Sequence, residues 1–397
     1  MRRTISTLQR RDRPRVLLVA GESWVGFARV PRLFRDAGCH VGLLCHPSYW
    51  AAQSGYVDEL LPAPRGASAT LDALEPLVAT HEFDWVILGD DPILRAAVER
   101  PAVAQSPWFP VDGSGGKPRM LISKTAFSQL AVRAQLPFPR SEATLGEYAT
   151  AAAKRIGFPV IVKPEFGSGG HGIVRADEPA DLGQLQPGAP VLVQRFVDGR
   201  IGSTEVLFSS GRPLCWMSSY KEEVHPKPFG PSCVRRYVCI PGLEDHLRQL
   251  GSALGLTGLC AVDWVQPCDA ETPLLIELNA RPTPCLHLHR QYGVDFPGAI
   301  RAMLSGSPRV VRPPQTVERP LVRMFPQHAI AAVSEDDWLG FARGLLSGED
   351  RPDDDPRLLR SLRRELLRQA RAVVARYPRR LTRRAARSMG LGRPSLA

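Results

Sequence analysis

Short apolar runs alternate with amphipathic stretches through the first part of the chain. The runs RVLLVA, HVGLLC and DWVILG cover residues 15–20, 40–45 and 84–89. Such runs predict buried strands, whereas the stretch between the first two predicts a helix. Alternating strands and helices predict a parallel sheet covered on both faces, with ligands at the carboxyl ends of its strands. We therefore expect residues 21–24 and 90–91 to form a binding edge.

The middle of the chain is richer in strand patterns. The segment PVDGSGGKPR, residues 110–119, predicts a linker, and Ser123 is placed to cap a helix that ends before Pro137. This part of the chain therefore predicts a separate α+β domain. Its apolar and alternating runs predict strands at 159–163, 173–176, 191–197, within 203–219, at 258–266 and at 274–282, and a helix at 243–254.

A glycine-rich loop follows Lys163 in the segment VKPEFGSGGHGI, residues 162–173. Its glycine spacing fits a dinucleotide-binding pattern, but a strand rather than a helix follows, and no Gly-Lys-Ser/Thr closes a Walker-type loop. We interpret it as a flexible loop whose backbone amides, with the Lys163 ammonium, face phosphate oxygens. A plain glycine hairpin is the alternative, and the pattern assigns no role to His171 at the loop tip.

The identity of Lys163 favours the phosphate interpretation. Only six of the 51 basic residues are lysines, so the chain uses arginine wherever a positive charge is all that is needed. Lys163 also follows the apolar residues Val160, Ile161 and Val162. An ammonium group in such a strand is costly unless an anion meets it.

The last two predicted strands carry acidic residues among apolar neighbours. If the turn PCDAETP centres on Ala270, Asp263 lies opposite Glu277, and Asn279 points to the same face as Glu277. Facing carboxylates repel unless a cation lies between them, and two carboxylates with an amide oxygen suit Mg²⁺. The alternative is a chance pair with one acid salt-bridged to an arginine. Arg281, next on that face, is suited to clamping a carboxylate or phosphate.

Cysteine and histidine patterns do not favour a disulfide framework or a zinc site. The eight cysteines contain no C-x-x-C pair and lie in apolar stretches, which is typical of reduced cysteines in a cytoplasmic protein. His287 and His289 share one face of a strand-like segment, but without a third ligand nearby we expect a packed or surface role. No apolar run reaches the length of a membrane span.

The positive charge is concentrated at the C-terminal end. Residues 356–397 contain 13 arginines and one glutamate, which leaves a net charge of −1 on the preceding 355 residues of a chain with net charge +11. We expect a helix at 356–377 that docks by an apolar face, and adhesion of its basic face to anionic lipid or RNA is the alternative. The apolar positions are Leu359, Leu362, Leu366, Ala370, Val373 and Tyr377.

In chain order, these segments resemble the motif series of the ATP-grasp superfamily of ligases. SKTAFSQLAVRAQLPFPRS resembles the helix that opens with an ATP-contacting lysine, and PVIVKPEFGSGGHGI resembles the phosphate lysine and glycine loop. VLVQRFV resembles the hinge strand beside adenine, and AVDWV with IELNARP resembles the paired metal strands. The resemblance runs from about Lys124 to Gly306. It implies ATP contacts at Lys124, Lys163, Ser168, Gly169, Gly170, Gln194, Phe196 and Val197, metal ligands at Asp263, Glu277 and Asn279, and Arg281 as the transition-state cation.

The resemblance implies a reaction and a domain order. With ATP and Mg²⁺ or Mn²⁺, a small-molecule carboxylate forms an acyl phosphate that an amine, or less often a thiol, attacks. A bicarbonate-activating enzyme of the biotin-carboxylase type and a non-catalytic ATP-binding protein are the alternatives. The implied regions are an α/β domain with a parallel sheet of the pre-ATP-grasp type at 1–118, an α+β ATP-grasp domain at 119–315 with its hinge near 194–199, and a helical basic extension at 316–397.

One position departs from the pattern of the superfamily. Many members carry an acidic residue after the hinge glutamine, where this chain has Arg195. Glu205 and Glu222 are the two candidates to replace that acid beside the adenine amino group. Basic residues flank the segment PFGPSC and are candidates for the acceptor side of the site: Lys221, Arg235 and Arg236.

Overall fold

We analysed a computed structural model of the chain. It describes residues 13–80, 83–314, 321–335, 337–346, 355–368 and 370–371. Within these ranges no helix is both long enough and apolar enough to cross a membrane.

The first part of the chain folds around a four-stranded parallel sheet, which confirms the sequence prediction. Its strand order is β3-β2-β1-β4. The third strand is short and alternates between half-buried and exposed residues, so no apolar run marks it in the sequence. The elements are β1 Arg15–Val19, α1 Val30–Asp36, β2 His40–Cys45, β3 Glu59–Pro62, α2 Ala67–Ala79, β4 Trp85–Leu88, α3 Asp91–Val98 and α4 Pro101–Ala104.

The segment 110–119 connects this sheet to the rest of the chain but is not a free linker. Val111 is fully buried, and the amide of Thr257 donates to the carbonyl of Pro110 at 2.8 Å. A short helix, α5 Lys117–Met120, follows. The polar composition of the segment predicted exposure, but the packing of one valine and one backbone bond ties it to the neighbouring domain.

A small antiparallel sheet carries the glycine-rich loop. Its strand order is β5-β8-β6-β7, and one face packs on helix α7, with alanines and valines filling the interface. The glycine-rich loop joins β6 to β7 and is therefore the turn of a hairpin at the sheet edge. The elements are α6 Lys124–Arg133, β5 Ser141–Leu145, α7 Ala149–Ile156, β6 Val160–Pro164, β7 Val174–Ala176 and β8 Pro190–Arg195.

A six-stranded sheet forms the largest surface of the middle region. Its order is β13-β12-β9-β10-β11-β14, with every neighbouring pair antiparallel. The helix predicted at 243–254 is present as α8. The elements are β9 Gly199–Ser209, β10 Arg212–Val224, β11 Ser232–Val238, α8 Leu243–Leu254, β12 Gly258–Pro267, β13 Leu274–Asn279, α9 His289–Tyr292, α10 Phe296–Leu304 and β14 Leu321–Arg323.

The N-terminal sheet and the six-stranded sheet share one hydrophobic core. Leu17 and Leu88 of the first sheet belong to the same buried cluster as Val206 and Phe208 of β9. Trp85 also packs in one cluster with residues of the larger sheet. This shared apolar contact holds the binding edge of the first sheet against the second. The proposed domain boundaries near residues 118 and 315 stay predictions.

A docked C-terminal helix confirms part of the prediction for the tail. Helix α13, residues 356–368, buries Leu358, Leu362 and Leu366. Leu359 is only half-buried, whereas Ala370 is buried. The remaining predicted apolar positions, Val373 and Tyr377, lie outside the described residues, as do most of the basic residues beyond them. Two further helices precede it, α11 Gln327–Ser334 and α12 Trp338–Leu346.

A buried carboxylate fixes the start of helix α6 against the glycine-rich hairpin. Ser123 caps α6 as predicted, since its hydroxyl accepts from the amide of Ala126. The same hydroxyl donates to Glu165 at 2.6 Å, and Thr125 and Arg119 donate to that carboxylate at 3.0 and 3.1 Å. Burial by itself would raise the pKa of Glu165, but these hydrogen bonds outweigh it and hold that pKa below its usual range.

We expect Glu165→Gln to lower the free energy of unfolding by about 1–3 kcal/mol near neutral pH, because it removes a charged acceptor from a buried network. A lowered pKa makes this contribution complete above the unfolded value of about 4.3 and lost as pH falls below it. The difference from wild type, measured by urea unfolding, should therefore be larger at about pH 7 than at about pH 4.

Glu142→Gln is the matched control. Glu142 pairs with Arg155, and both side chains are substantially exposed. We expect a loss below about 1 kcal/mol for this variant. An equal loss in the two variants, or a Glu165→Gln difference that grows on acidification, would contradict the role given to Glu165.

Candidate active site

One large cavity lies between the two sheets of the middle region and the binding edge of the first sheet. Its volume is about 760 Å³, within the range of small-molecule sites. The glycine-rich loop covers one side, the face of the six-stranded sheet forms the floor, and Glu22, Trp24 and Asp91 enter from the first sheet. Most of the site residues expected from the sequence line it: Lys163, Ser168, Gly169, Gly170, Gln194, Phe196, Val197, Asp263, Glu277, Asn279 and Arg281.

Lys163 places a buried ammonium group at the wall of this cavity. Its side chain donates to the Gln194 side-chain oxygen at 2.9 Å and to the Ile276 carbonyl at 3.4 Å. No carboxylate among the described residues forms an ion pair with it. Burial lowers the pKa of Lys163 to about 8, although Glu277 nearby acts in the opposite direction. A buried cation with neutral partners is suited to receive an anionic ligand.

The glycine-rich loop depends on its glycines for its path. Gly167, Gly169, Gly170 and Gly172 all have positive φ, a region that residues with a Cβ rarely adopt. A Cβ on Gly170 would lie 1.9 Å from the carbonyl oxygen of Phe229. The loop therefore runs in backbone contact with the segment that follows β10, and the two together cover the cavity.

His171 makes only a local contact at the tip of this loop. Its Nδ1 lies 3.0 Å from the carbonyl oxygen of Ser168, and the side chain is exposed. The imidazole ring also lies beside Gly169. His171 thus contributes to the turn of the loop, and it is absent from the lining of the cavity.

The acidic pair lies as the assumed turn predicted. Asp263 on β12 is the direct partner of Glu277 on β13, and Ala261 is the partner of Asn279. The pairing shifts by one residue immediately after Asp263, because a β-bulge is present there. The turn-centred register therefore holds from Ala261 to Asp263 and fails toward the turn. The bulge was not predicted.

Two lysines, rather than an arginine, neutralise the acidic pair. Lys221 on β10 lies 2.7 Å from Asp263, and Lys124 at the start of α6 lies 3.1 Å from Glu277. Lys124 also donates to the carbonyl of Gly167 at 2.6 Å. It lines a smaller crevice beside Glu277 rather than the main cavity, at the flank of the glycine-rich loop, and its ATP contact stays a prediction.

The donor set on β12 and β13 fits a hard divalent cation. Two carboxylates and one amide supply only oxygen atoms, the ligands that Mg²⁺ and Mn²⁺ prefer. Among the described residues no three His, Cys, Asp or Glu side chains cluster as a metal site. A site here must therefore use the Asn279 amide or oxygens of a ligand, as is usual where Mg²⁺ bridges phosphates.

Arg281 forms an ion pair with Asp91 from the first part of the chain. Its Nε donates to Asp91 at 2.7 Å and its Nη2 donates to the other oxygen of that carboxylate at 2.5 Å. The guanidinium carbon lies 5.4 Å from the Trp24 ring centre. Asp90, predicted at the same edge, is buried and caps α3 while accepting from the amide of Gly21. Of the two aspartates, only Asp91 reaches the cavity.

The residues expected beside adenine lie at the end of β8 and directly after it. Gln194, Phe196 and Val197 line the cavity, and the Arg175 guanidinium covers the Phe196 ring at 4.3 Å. The Gln194 side chain is engaged with Lys163 and Ser141, and its backbone lies between β5 and β6 in the sheet. Arg195 is exposed and lines the cavity at the same strand end.

Both acidic candidates for the adenine side line the cavity. Glu222 forms ion pairs with Arg200 and Arg236. Glu205 lies on β9 as the direct partner of Ala261, which places it beside the metal strands. The expectation that one of them replaces the missing hinge acid stays a prediction. Of the three basic residues suggested for the acceptor side, Lys221 and Arg235 line the cavity and Arg236 does not.

The two histidines are packed, but the segment is helical rather than strand-like. His287 lies in a short 3-10 helix, Leu286–Leu288, and contacts the guanidinium of Arg29. His289 begins α9, and its Nδ1 lies 3.1 Å from the Val294 carbonyl. Burial lowers the pKa of His289 to about 4, so its imidazole is neutral near pH 7. The apolar spacing of this short segment fits either kind of element.

Comparison with known proteins agrees with this geometry. The family model described as an ATP-grasp domain matches residues 122–285. The carbamoyl phosphate synthase large chain of Streptomyces avermitilis is 39% identical over 172 residues, which are 40% of this chain and 15% of that relative. The corresponding protein of Rubrobacter xylanophilus is 28% identical over 199 residues, 46% of this chain and 19% of the relative. The chain thus spans less than a quarter of these relatives.

A solved structure shares the fold over most of the chain. The ADP complex of N5-carboxyaminoimidazole ribonucleotide synthetase aligns with a TM-score of 0.62 at 16% identity, covering 82% of this chain and 85% of that protein. The match extends the likeness from the central region to the first sheet. The chain therefore contains an ATP-grasp domain, matched over residues 122–285.

Proposed function

We propose that the protein is an ATP-dependent ligase that activates a small-molecule carboxylate as an acyl phosphate and joins it to an amine. The observation that carries the proposal is the convergence of four groups on one cavity: the buried ammonium of Lys163, the glycine-rich loop, the oxygen donors on β12 and β13, and Arg281. Each of these groups interacts with anionic oxygen or with the cations that neutralise it.

In this proposal ATP lies between the end of β8 and the glycine-rich loop. Gln194, Phe196 and Val197 lie beside adenine. Lys163 binds phosphate oxygens from the wall of the cavity, and Lys124 approaches from the flank of the loop. The amides of Ser168, Gly169 and Gly170 cover the phosphates and exclude water from them.

Asp263, Glu277 and Asn279 are the proposed ligands of Mg²⁺ or Mn²⁺. When bound, the cation would neutralise phosphoryl charge and orient the phosphates for in-line transfer. Lys221 and Lys124 already contribute positive charge next to these ligands. The arrangement therefore concentrates cationic groups where charge on the transferred phosphoryl group develops.

The chemical steps balance without a further reactant. A carboxylate oxygen of the substrate attacks the γ-phosphorus, and the bond between that phosphorus and the β,γ-bridging oxygen breaks to release ADP. The neutral amine nitrogen then attacks the acyl carbon, the bond from carbon to the phosphate oxygen breaks to release phosphate, and the proton lost from nitrogen passes to the departing phosphate or to solvent. Arg281, positioned by Asp91, stabilises the acyl phosphate and the charge on its oxygens.

A screen for ADP release with pools of carboxylates and amines tests the ligase. We expect release that requires both a carboxylate and an amine, and we expect Glu277→Ala to lower its rate by about 10²-fold or more, since it removes a proposed metal ligand. Glu271→Ala is the matched control, because Glu271 is an exposed residue in the turn between β12 and β13. It should stay close to the wild-type rate.

The same screen separates the alternatives. ADP release that needs only bicarbonate and biotin would identify a carboxylase of the biotin type. Binding of nucleotide without release in any pool would identify a non-catalytic ATP-binding protein. Release that needs no carboxylate, or that survives Glu277→Ala undiminished, contradicts the ligase.

Lys163 should take up a proton when nucleotide binds at alkaline pH. Its pKa is lowered to about 8, so at about pH 9 the free protein is mostly neutral at this position. A polyphosphate next to the amine favours the charged form, and roughly 0.8 proton should enter with the magnesium complex of AMP-PNP. At about pH 6.5 the group is already charged, and its uptake should vanish.

Calorimetry in buffers of different ionisation enthalpy measures this uptake. Lys163→Arg is the informative variant, because a guanidinium stays charged throughout and should abolish the pH-dependent component. Lys227→Arg, at an exposed lysine, should leave it unchanged. Equal uptake in wild type and Lys163→Arg would remove Lys163 from the phosphate site.

A further inference from the structure

Two buried charged residues on the floor of the cavity have no part in the steps described above. Glu205 and Arg235 are 3% and 5% exposed, and both line the cavity. Burying a charge is costly unless it is paired or fully hydrogen-bonded. Their presence inside a ligand-sized cavity therefore needs a reason beyond the stability of the sheet.

Only one of the two carboxylate oxygens of Glu205 has a hydrogen-bond partner among the described residues. One carboxylate oxygen accepts from the hydroxyl of Thr283, while Oε1 has no hydrogen-bond partner among the described residues. Burial raises the pKa of Glu205, and Arg235 nearby opposes that effect. A buried carboxylate oxygen without a donor is destabilising, and a donor supplied by a ligand removes that cost.

Arg235 is positioned by three serine hydroxyls. Its Nε donates to Ser232 at 3.1 Å, and its Nη1 donates to Ser203 at 2.5 Å and to Ser219 at 3.0 Å. No carboxylate of the described residues forms an ion pair with it. Its Nη2 makes no hydrogen bond within the same described part of the chain. The guanidinium is thus held rigidly by neutral groups and keeps its charge for a ligand.

The two groups are close enough to interact electrostatically but form no ion pair with each other. Each affects the pKa of the other. Both also sense Asp263, which pairs with Ser203 across the sheet, so they lie next to the proposed metal ligands. A ligand bound here contacts an anionic and a cationic group at the same time. It lies next to the strands that carry the proposed metal ligands.

We propose that Glu205 and Arg235 form the subsite of the amine substrate and select a free amino acid, with its ammonium on Glu205 and its carboxylate on Arg235. This inference rests on the proposed ligase function. A simple amine would leave Arg235 without an anion, and a dicarboxylate would place a second negative charge against Glu205. A compound that carries both groups satisfies both residues.

Equilibrium binding of defined compounds tests the subsite without requiring turnover. The full chain is saturated with the magnesium complex of AMP-PNP and titrated with each of the standard amino acids. Each amino acid is compared with its amide, which lacks the carboxylate, and with its N-acetyl derivative, which lacks the ammonium. We expect at least one free amino acid to bind at least tenfold more tightly than both derivatives, as the loss of a charge-assisted hydrogen bond predicts.

Variants assign the two halves of the subsite. Glu205→Gln keeps the shape of the side chain and should weaken binding of the free amino acid at least tenfold. Arg235→Met should abolish the preference for the acid over its amide, and Arg235→Lys should retain part of it. Glu223→Gln and Arg236→Met are matched controls, because neither residue lines the cavity, and both should bind as wild type does.

The outcomes also separate this inference from the ligase itself. Binding of no standard amino acid, or an amide or N-acetyl derivative that binds as tightly as the free compound, overturns the subsite. ADP release with simple amines at undiminished rate would keep the ligase and overturn the subsite. Selective binding of an amino acid with no ADP release in any pool would support the subsite and contradict the ligase. If Arg235→Met does not fold, the comparison of ligands on the wild-type chain decides alone.

Discussion

The repulsion between Asp263 and Glu277 is the constraint around which the site is organised. Antiparallel pairing places the two carboxylates directly opposite each other in an apolar hairpin, which is unfavourable without positive charge close by. The chain supplies that charge from two separate elements, Lys221 on β10 and Lys124 at the start of α6. The acidic pair therefore determines where a third strand and a helix terminus must lie.

The other buried cations of the cavity differ in the partners that support them. Lys163 and Arg235 are buried cations with neutral hydrogen-bond partners, whereas Arg281 is held by the Asp91 carboxylate. Cations whose hydrogen-bond partners are neutral keep more of their attraction for an incoming anion than directly paired ones, because no carboxylate among the described residues contacts them. Arg281 differs from them, because its ion pair with Asp91 orients the guanidinium and connects the site to the first sheet. The site thus combines groups poised for ligands with one group fixed by the fold.

The ion pair between Arg281 and Asp91 requires the N-terminal sheet to stay in place beside the six-stranded sheet. The N-terminal sheet and the six-stranded sheet share one buried cluster, so the loops carrying Trp24 and Asp91 are pressed against the cavity. Helix α13 adds a further tie, because Asp355 caps it while accepting from the Ser54 hydroxyl in the first part of the chain. Apolar packing, rather than the polar contacts themselves, holds these loops in place.

The sequence by itself determined the local elements and the chemistry of single motifs. Apolar runs predicted β1, β2, β4, most strands of the middle region and helix α8, but not β3, β5, β11 or β14. The residue type of Ser123 predicted its cap, and an assumed turn centre predicted the Asp263–Glu277 pairing, because these depend on neighbours close along the chain. Tertiary structure alone decided which charges meet: Asp91 with Arg281, Lys221 with Asp263, and Glu205 near Arg235. Such contacts join residues distant in sequence, and their energy depends on burial and on the order of strands in the sheet, which no local pattern encodes.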